Sequence, residues 1–376
     1  MTAVSQLLGD EELQLRSSAA EMLRKESPVG EFRRLRDEGK TPSCDKALWS
    51  QFVAMGWTAM LVDEEHGGLA YGHRGAGLIV EEMGRNLVLS PFVSTSIHAV
   101  SVLAAASDEL RAEVLPAIAE GTTTVALALN EGRAFDPQAT TLTATSSPDG
   151  WVLNGEKAFV TDGVSAEQFI VLARTDAGLS LFHVSPGSSA QVRRNALDLV
   201  DHRDCAHLTF DHLVLPETAL IGGEGQGDVL IEKLIDVAAA HSASELLGIS
   251  DALFDITIDY LKVREQFGEL IGAFQALQHR AAKMFTRIEL LRSLVMDAHA
   301  ALDSKRDDAS MACSHARVMA IETANLVGQE AIQLHGGMGV TDELDVGLYY
   351  KRVLTLRQFD GNRGYHRERF ARLSGY

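Results

Sequence analysis

The sequence predicts an α+β protein of several domains, with a helical domain at each end of the chain and an antiparallel β domain between them. Apolar residues recur at helical spacing from about residue 5 to residue 122, and helical patterns return from Asp228 onward. From Thr122 to about Leu220, apolar and polar residues alternate between Gly, Asp, Asn and Pro turns, which is typical of antiparallel strands. A chain of 376 residues is long enough for two or three domains. We therefore expect domains at residues 1–122, 123–225 and 226–376.

The N-terminal segment is predicted to form helices joined by a glycine-punctuated loop. Helical spacing is clearest at Leu7–Leu23, Ser43–Val53 and Gly75–Met83. Before the last of these lie two turns that contain glycine, Met55–Thr58 and Asp63–Gly68. The residue types in this segment indicate turns and helix faces, and they imply no particular chemistry.

The central and C-terminal segments differ in their pattern. Four runs in the central segment predict strands: Thr124–Leu129, Gly150–Gly155, Phe169–Arg174 and Leu179–Val184. The helical pattern of the C-terminal segment is interrupted at Gly268–Gly272 and at Lys305–Asp308. We expect helices to end at both interruptions.

Composition and charge exclude several classes of protein. Hydrophobic residues make up 46% of the chain, as in globular proteins. The 52 acidic residues outnumber the 34 Lys and Arg and give a formal net charge of −18, which opposes general nucleic-acid binding because no excess of cations neutralises phosphates. No uninterrupted apolar stretch is long enough to span a bilayer, and Met1–Pro28 lacks the apolar core of a signal peptide. We therefore expect a cytoplasmic protein with no membrane partner.

The three cysteines indicate neither a disulfide framework nor a metal site. Cys44, Cys205 and Cys313 are far apart in the sequence and show no paired metal-ligand spacing. We expect ordinary buried or partly buried thiols and no metal.

The stretch from Gln333 to Arg367 is the strongest indication of function. A run of helix formers, Ala316–Leu334, leads into a glycine-rich turn, and a second glycine turn further on contains a lone acid, Asp360. Glycines permit a tight turn and let a phosphate approach exposed backbone amides. Glycines after a helix also form ordinary C-caps, so the residues alone leave both interpretations open.

Two further stretches contain residues suited to a cofactor. Leu153–Gly163 reads LNGEKAFVTDG, in which Phe159 is either a core residue of a hairpin or an apolar wall against a ligand. Val263–Gln275 contains Arg264, whose guanidinium offers the bidentate donors that suit a diphosphate in an otherwise acidic protein. The alternative for Arg264 is a solvated cation at a helix end.

Together, these three stretches resemble the acyl-CoA dehydrogenase flavoproteins. Residues 153–163 are similar to the family pattern LNG-x-K-x-W-I-T-N-G, residues 264–275 to R-x-x-F-G-x-x-I-x-x-F-Q, and residues 333–339 to Q-x-x-G-G-x-G. The resemblance covers nearly the whole chain. It implies FAD as the cofactor, a central antiparallel β-barrel or sandwich, and a C-terminal four-helix bundle.

The resemblance also implies roles for individual residues. The family's catalytic base, counted without gaps from Gly336, falls on Asp360, where the family has glutamate. Phe159 would pack against the isoalloxazine ring, and Thr161 would hydrogen-bond its polar edge. The other residues implied for FAD, which a neighbouring subunit would mainly hold, are Arg264, Phe267, Phe274, Gln275, Gln333, Gly336 and Gly337. A site assembled from two chains implies a homodimer or homotetramer, or a hetero-oligomer with a homologue.

On the substrate side, this sequence departs from the family pattern. The loop Asn130–Asp136 lacks the family's proline and serine. Ala238 and Ala239 occupy the positions where some members have an alternative base and a characteristic arginine. Glu245 lies about two turns further along that helix and is the rival acid. An aspartate at residue 360 withdraws the carboxylate by one C–C bond, about 1.5 Å, relative to glutamate.

The resemblance implies α,β-dehydrogenation of an acyl-CoA thioester, as in β-oxidation and lipid metabolism, with electrons passing to an electron-transfer flavoprotein. Asp360 would remove the α proton while the β hydrogen leaves as hydride. Two alternatives stay open. One is a non-catalytic or partner-dependent subunit that holds FAD in a hetero-oligomeric acyl-CoA dehydrogenase. The other is a flavin oxidase of the nitroalkane oxidase type, which uses an aspartate base.

Overall fold

The computed structural model describes residues 8–39 and 45–376. Leu7, Ser43 and Cys44, which the sequence placed in helices or among buried thiols, lie outside the described residues. A π-helical segment, Val93–Ala99, precedes the fifth helix. The α-helices before the sheet are α1 (Asp10–Glu26), α2 (Val29–Asp37), α3 (Lys46–Ala54), α4 (His73–Arg85), α5 (Val100–Leu103) and α6 (Asp108–Ala119).

Charge and capping explain where the first helices begin and end. α1 has three acidic residues in its first turn and Arg24 and Lys25 in its last turn, which complements the helix dipole. Asp45 accepts a hydrogen bond from the Ala47 N–H at 2.7 Å and caps α3. The local sequence therefore supplies complementary charges for α1 and a side-chain cap for α3.

The central segment forms a sheet of eight strands. They are β1 (Val125–Ala128), β2 (Thr143–Ser147), β3 (Gly150–Thr161), β4 (Gln168–Thr175), β5 (Gly178–Val184), β6 (Arg193–Ala196), β7 (Cys205–Leu215) and β8 (Leu220–Ile221). The strand order is β6-β7-β3-β2-β4-β5-β8, with β1 beside β4. A short helix, α7 (Pro186–Ser189), lies between β5 and β6.

Most neighbouring strands are antiparallel, as predicted, but β4 pairs in parallel with both β1 and β2. The chain reverses after β2 and again after β3, so β4 runs in the direction of β2 when it pairs beside it. The sheet is consequently mixed and open, whereas the resemblance implies an antiparallel barrel or sandwich. The helical, sheet and helical order is confirmed.

The core of the sheet consists of side chains from the inner faces of its strands. Leu153, Phe169 and Leu208 are fully buried in this core. The rings of Trp151 and Phe182 lie 5.2 Å apart at a tilt of 60°. Burial of these apolar side chains stabilises the sheet at about 25 cal/mol per Å² removed from water.

After the sheet, the chain is helical again. The helices are α8 (Gly227–Val263), α9 (Gln275–Asp303), α10 (Ala309–His335), α11 (Val346–Leu356) and α12 (Arg363–Leu373). A hairpin of β9 (Glu265–Gln266) and β10 (Glu269–Leu270) separates α8 from α9. Both predicted interruptions of the helical pattern are confirmed, because each lies between two of these helices.

The chain forms two compact units, and the predicted division into three domains stays a prediction. One unit comprises the described residues of 1–34, 73–88 and 239–376, and the other those of 35–72 and 89–238. In the first unit, α4 and α8 approach each other closely at two glycines. A Cβ on Gly248 would lie 1.8 Å from the backbone carbonyl oxygen of Glu81, and a Cβ on Gly84 would lie 2.3 Å from the backbone carbonyl oxygen of Glu245. Neither position has room for a side chain.

Two further expectations are tested by the described residues. Cys205 and Cys313 are both buried, and burial raises the pKa of Cys205 to about 12, which disfavours the reactive thiolate. Within residues 8–39 and 45–376, no helix has the length and apolar character needed to cross a bilayer.

Candidate active site

Asp360 lies in the turn between α11 and α12. Its φ is +54° and that of Gly361 is +91°, a left-handed conformation that aspartate tolerates better than most residues. Asn362 accepts a hydrogen bond from the Tyr365 N–H at 3.1 Å and caps α12 directly after the turn. The Asp360 carboxylate is half-buried and forms no hydrogen bond or ion pair with any described residue. It is therefore available to a ligand.

Two buried side chains hold the backbone of this turn. Arg317 on α10 donates from Nη2 to the carbonyl oxygens of Leu356 and Phe359, at 2.6 and 2.7 Å. His366 on α12 lies 2.9 Å, through Nε2, from the Asp360 carbonyl oxygen. Because a carbonyl only accepts, Nε2 carries the proton. The turn is thus anchored on both sides of Asp360.

The rival acid, Glu245, is engaged in an ion pair. Its Oε1 accepts from Nη1 of the fully buried Arg352 at 3.0 Å. Breaking a buried ion pair leaves an uncompensated charge, so this contact commits Glu245 to a structural role. Ala238 and Ala239 are also buried on α8, where neither can supply a base.

Phe159 and Thr161 lie on β3. Between Lys157 and Val160 the β3–β7 register shifts by one residue, so β3 has a bulge there. Inside the bulge, Phe159 has a φ of +55°, which is strained for an aromatic residue. Its half-buried ring lies 5.3 Å from the ring of His207. Such strain persists where the surrounding structure imposes it, and it is common at binding sites.

The loop Asn130–Asp136 is fastened to β3 next to this bulge. The Asn130 carbonyl accepts from the Ala158 N–H at 2.7 Å. Glu131 accepts from Nζ of the fully buried Lys157 at 2.7 Å. Burial lowers the pKa of Lys157 to about 8, although Glu131 opposes that shift. Glu131 and Lys157 therefore hold the loop in place without the proline and serine of the family pattern.

Four of the residues predicted to bind FAD lie at or beside the exposed β9–β10 hairpin. Phe267 and Gly268 form its turn with φ values of +59° and +83°, and Phe267 is 93% exposed. The Phe267 ring packs edge-on against Phe274 at 6.2 Å. The exposed Arg264 guanidinium has no hydrogen bond or ion pair in the part of the chain that the structure describes. Gln275 is exposed at the start of α9.

The glycine turn after α10 lies beside the C-terminal end of α8, because the rings of Tyr260 and His335 stack at 4.4 Å. A Cβ on Gly336 or Gly337 would meet no atom within 4 Å, whereas one on Gly339 would lie 2.4 Å from the Ile332 oxygen. Gly339 is thus needed for packing. The first two glycines instead expose backbone to an open space that a phosphate can approach.

The implied FAD residues beside α8, α9 and α10 lie at one end of these helices. The Asp360 turn lies away from that end. Arg317, which holds that turn, lies near the start of α10, and Gln333 is exposed near its end. From Arg317 to His335, α10 is about 27 Å long at its rise of 1.5 Å per residue. The two sets of residues in one chain are therefore well separated.

Sequence reasoning missed the two residues that anchor the Asp360 turn. Arg317 is a single cation in an Ala-rich stretch of α10, and a buried arginine on an otherwise small and apolar helix face is a signal for a polar partner. His366 carries no comparable signal, because a histidine in the charged segment of α12 is typical of a solvent-facing residue.

Comparison with known proteins identifies the family to which these features correspond. The model of the acyl-CoA dehydrogenase C-terminal domain matches residues 225–374, and that of the N-terminal domain matches residues 9–122. The long-chain specific acyl-CoA dehydrogenase of Sus scrofa is 30% identical over 329 residues, which cover 83% of this chain and 75% of that protein.

Solved structures extend the similarity to the whole fold. The acyl-CoA dehydrogenase of Geobacillus kaustophilus has a TM-score of 0.89 at 26% identity and covers 98% of this chain and 99% of its own. The steroid ACAD Tcur3481-Tcur3483 has a TM-score of 0.87 at 27% identity, with 98% of each chain covered.

Proposed function

This chain belongs to the acyl-CoA dehydrogenase family, and on that premise we propose that it introduces an α,β double bond into an acyl-CoA thioester with Asp360 as the base. The family makes it an FAD-dependent oxidoreductase that acts on acyl-CoA. An electron-transfer flavoprotein would be the acceptor of the electrons removed from the substrate.

The observation that carries this proposal is the state of the Asp360 carboxylate. It is half-buried, it has no partner among the described residues, and it lies on a strained turn that Arg317 and His366 anchor. Left-handed backbone at a non-glycine residue is costly and persists where the surrounding structure imposes it, and a half-buried carboxylate without a partner among the described residues is accessible to a substrate. Glu245, in contrast, is bound to Arg352.

The residues present fit FAD. The open backbone at Gly336 and Gly337 and the exposed guanidinium of Arg264 suit a diphosphate, and the bulge residue Phe159 suits an aromatic ring system. Thr161, Gln275 and Gln333 would add polar contacts, and Phe267 and Phe274 apolar ones. Bound FAD supplies the acceptor for the β hydrogen, which leaves the substrate as hydride.

The chain's own contribution is proton removal at a carboxylate oxygen of Asp360. The anchored turn holds that oxygen still, so that reaction does not require the backbone to reorganise. Binding of an acyl chain excludes water from the half-buried carboxylate, and this desolvation increases its basicity. The Glu131–Lys157 contact holds the loop beside the Phe159 bulge in place.

The proposal is tested by anaerobic titration of the purified holoprotein with a panel of acyl-CoA thioesters. We expect at least one thioester to bleach the flavin absorbance.

Asp360→Asn should keep FAD and reduce the bleaching rate by about 10²- to 10⁴-fold, the usual contribution of a general base. Glu245→Gln is the control that removes the rival acid and should retain most of the rate if the variant folds. Bleaching by Asp360→Asn at the wild-type rate refutes Asp360 as the base. Oxygen consumption with small nitro compounds, without bleaching by thioesters, would instead indicate the oxidase.

A second candidate function is that of a subunit that works only with a homologous partner. Ala239 in place of the family's arginine and the altered loop at residues 130–136 support it. So does the similarity to a steroid ACAD whose name carries two designations, Tcur3481 and Tcur3483. Flavin that appears only after co-expression with a homologue encoded nearby would favour this function over the first.

An oligomer of at least two chains follows from the same proposal. The Phe267 ring is 93% exposed, and the implied FAD residues at this end of α10 are far from the chain's own Asp360 turn. They therefore suit a cofactor held by a second copy. Light scattering of the holoprotein should give at least a dimer, and Phe267→Ser should weaken both association and FAD retention. A monomer that holds FAD tightly would contradict this arrangement.

A further inference from the structure

Arg317 is a fully buried cation whose hydrogen bonds to the described residues all go to uncharged groups. Its guanidinium is 0% exposed and forms no ion pair with any residue that the structure describes, and its Nε has no hydrogen-bond partner there. Its other nitrogens donate to a hydroxyl, Ser242 Oγ at 2.6 Å, and to the carbonyls of Leu356 and Phe359. An isolated buried charge is among the most costly features of a protein interior, so a specific use for this one is expected.

The charges near Arg317 make Asp360 its main counter-charge. Burial lowers the pKa of Arg317 to about 10, so the side chain is still cationic at neutral pH, and the negative charges of Asp360 and Glu245 act in the opposite direction. Glu245 is already paired with Arg352. The attraction between Arg317 and Asp360 therefore remains available to stabilise the ionised carboxylate.

The turn is enclosed on its other side by α12. A Cβ on Gly361 would lie 2.6 Å from the Tyr365 ring and 2.7 Å from His366 Nε2. Burial, followed by the charge of Arg317, lowers the pKa of His366 to about 3, so this ring is neutral at physiological pH. His366 thus contributes a hydrogen bond and no charge, whereas Arg317 is a cation that binds the carbonyls of the turn and interacts electrostatically with Asp360.

We propose that Arg317 is a positioning residue for Asp360. Arg317 holds the strained turn through the carbonyls of Leu356 and Phe359, and its charge keeps the Asp360 carboxylate ionised when a substrate excludes water. This inference rests on the proposed role of Asp360 as the base. Its first half, the mechanical one, can be measured without substrate. Its second half predicts a change in the pH dependence of the reaction.

Three variants of the full-length holoprotein separate positioning from general stability. Arg317→Met removes the charge and the hydrogen bonds, and Arg317→Lys keeps the charge and one donor group. Arg369→Met is the matched control. Arg369 is also buried and donates to Ser314 Oγ at 2.9 Å and to the Ser310 carbonyl at 3.4 Å. Its charge reaches His366, but the carbonyls of Leu356 and Phe359 are held by Arg317, so this variant controls for the loss of a buried cation near the turn that does not bind these carbonyls.

The first measurement is hydrogen–deuterium exchange of the peptide that spans residues 356–365. We expect Arg317→Met to exchange at least tenfold faster there, Arg317→Lys to lie between it and the wild type, and Arg369→Met to match the wild type. Unchanged exchange of this peptide in folded Arg317→Met overturns the mechanical half. If Arg317→Met does not fold, wild-type exchange in Arg317→Lys overturns it in the same way.

The second measurement is the pH dependence of anaerobic flavin reduction by a thioester that bleaches the wild type. The charged and titratable groups around the turn are Glu245 on α8, Arg317 on α10, Arg352 on α11, and His366 and Arg369 on α12. We expect Arg317→Met to slow reduction by about 100-fold with less than a threefold change in substrate affinity. Its acid limb should move to higher pH by about one unit, and Arg317→Lys should recover at least tenfold of the rate.

The outcomes distinguish failure of this inference from failure of the proposed function. A wild-type rate and pH profile in folded Arg317→Met overturns the electrostatic half while Asp360 remains the base. If no thioester bleaches the wild type, the proposed function fails and the electrostatic half is overturned with it. The exchange measurement then still decides whether Arg317 holds the turn.

Discussion

Replacement of Asp360 by glutamate tests whether the shortened base is matched to its own active site. The substitution restores the residue type of the family pattern and adds one methylene between the backbone and the carboxylate. In a flexible turn, the backbone would retreat and absorb the extra length. This turn is anchored by hydrogen bonds of 2.6, 2.7 and 2.9 Å to the carbonyl oxygens of Leu356, Phe359 and Asp360, so we expect no such retreat.

The magnitude follows from this geometry. The added C–C bond advances the carboxylate by about 1.5 Å. A misplacement of about 1 Å costs on the order of 100-fold in rate, which corresponds to about 2.7 kcal/mol of transition-state stabilisation. We therefore expect Asp360→Glu to reduce the enzyme's flavin about 100-fold more slowly than the wild type. Glutamate is also less suited than aspartate to the φ of +54° at this position.

The assay is stopped-flow reduction of the bound flavin under anaerobic conditions, with the best thioester of the panel. Asp360→Asn measures the rate without a base, and unchanged flavin content and melting temperature show that the variants are folded. Asp360→Glu should lie between Asp360→Asn and the wild type. A rate equal to or above that of the wild type would refute the argument, because it would mean that the turn adjusts or that aspartate is a poorly placed base.

Three further predictions concern the cofactor, the packing and the pH dependence of stability. Gly337→Val should weaken FAD binding at least tenfold without changing the melting temperature of the apoprotein, because the valine side chain would fill open space at the glycine turn. Fluorescence titration with FAD measures this affinity, and an unaltered affinity would exclude a phosphate at this turn. Gly248→Ala should cost about 1–3 kcal/mol or more in urea unfolding, since its Cβ would lie 1.8 Å from the Glu81 oxygen, and a loss below 0.5 kcal/mol would show that α4 and α8 separate easily. Burial lowers the pKa of His183 from 6.5 to about 4, so the unfolded chain binds a proton that the folded chain excludes between these values. Stability should therefore fall as the pH falls from about 6.5 to about 4, by about 3 kcal/mol from this residue; a His183→Gln variant should lack this part of the loss, and parallel profiles would contradict the assignment.

Local patterns predicted most of the element types correctly. The breaks at Gly268–Gly272 and Lys305–Asp308 both separate helices, and the alternating runs at residues 124–184 all contribute strands. These features depend on spacing over a few residues, which the sequence contains directly. The parallel pairing of β4 with β1 and β2 was not predictable in this way, because strand order depends on which distant segments meet.

In the candidate site, too, local motifs were predictable from the sequence and contacts between distant segments were not. Its glycines, Arg264 and Asp360 were found from motifs, since each motif is a short continuous stretch. The roles of Arg317, His366 and Lys157 were not, because each acts on a residue that is brought to it by the packing of different elements.

The sequence by itself determined the family, the order of helices and strands, and the two acids that could serve as a base. The motif count already favoured Asp360 over Glu245, and the tertiary structure supplied the physical difference between the two acids. The local sequence of Glu245 shows no ion pair, because its partner lies far along the chain. The distinction arises because Arg352 reaches Glu245 from α11, whereas Arg317 from α10 binds the backbone beside Asp360 and leaves its carboxylate without a partner among the described residues. Ionisable side chains take their function from the charges that folding brings near them, and those charges come from distant parts of the chain.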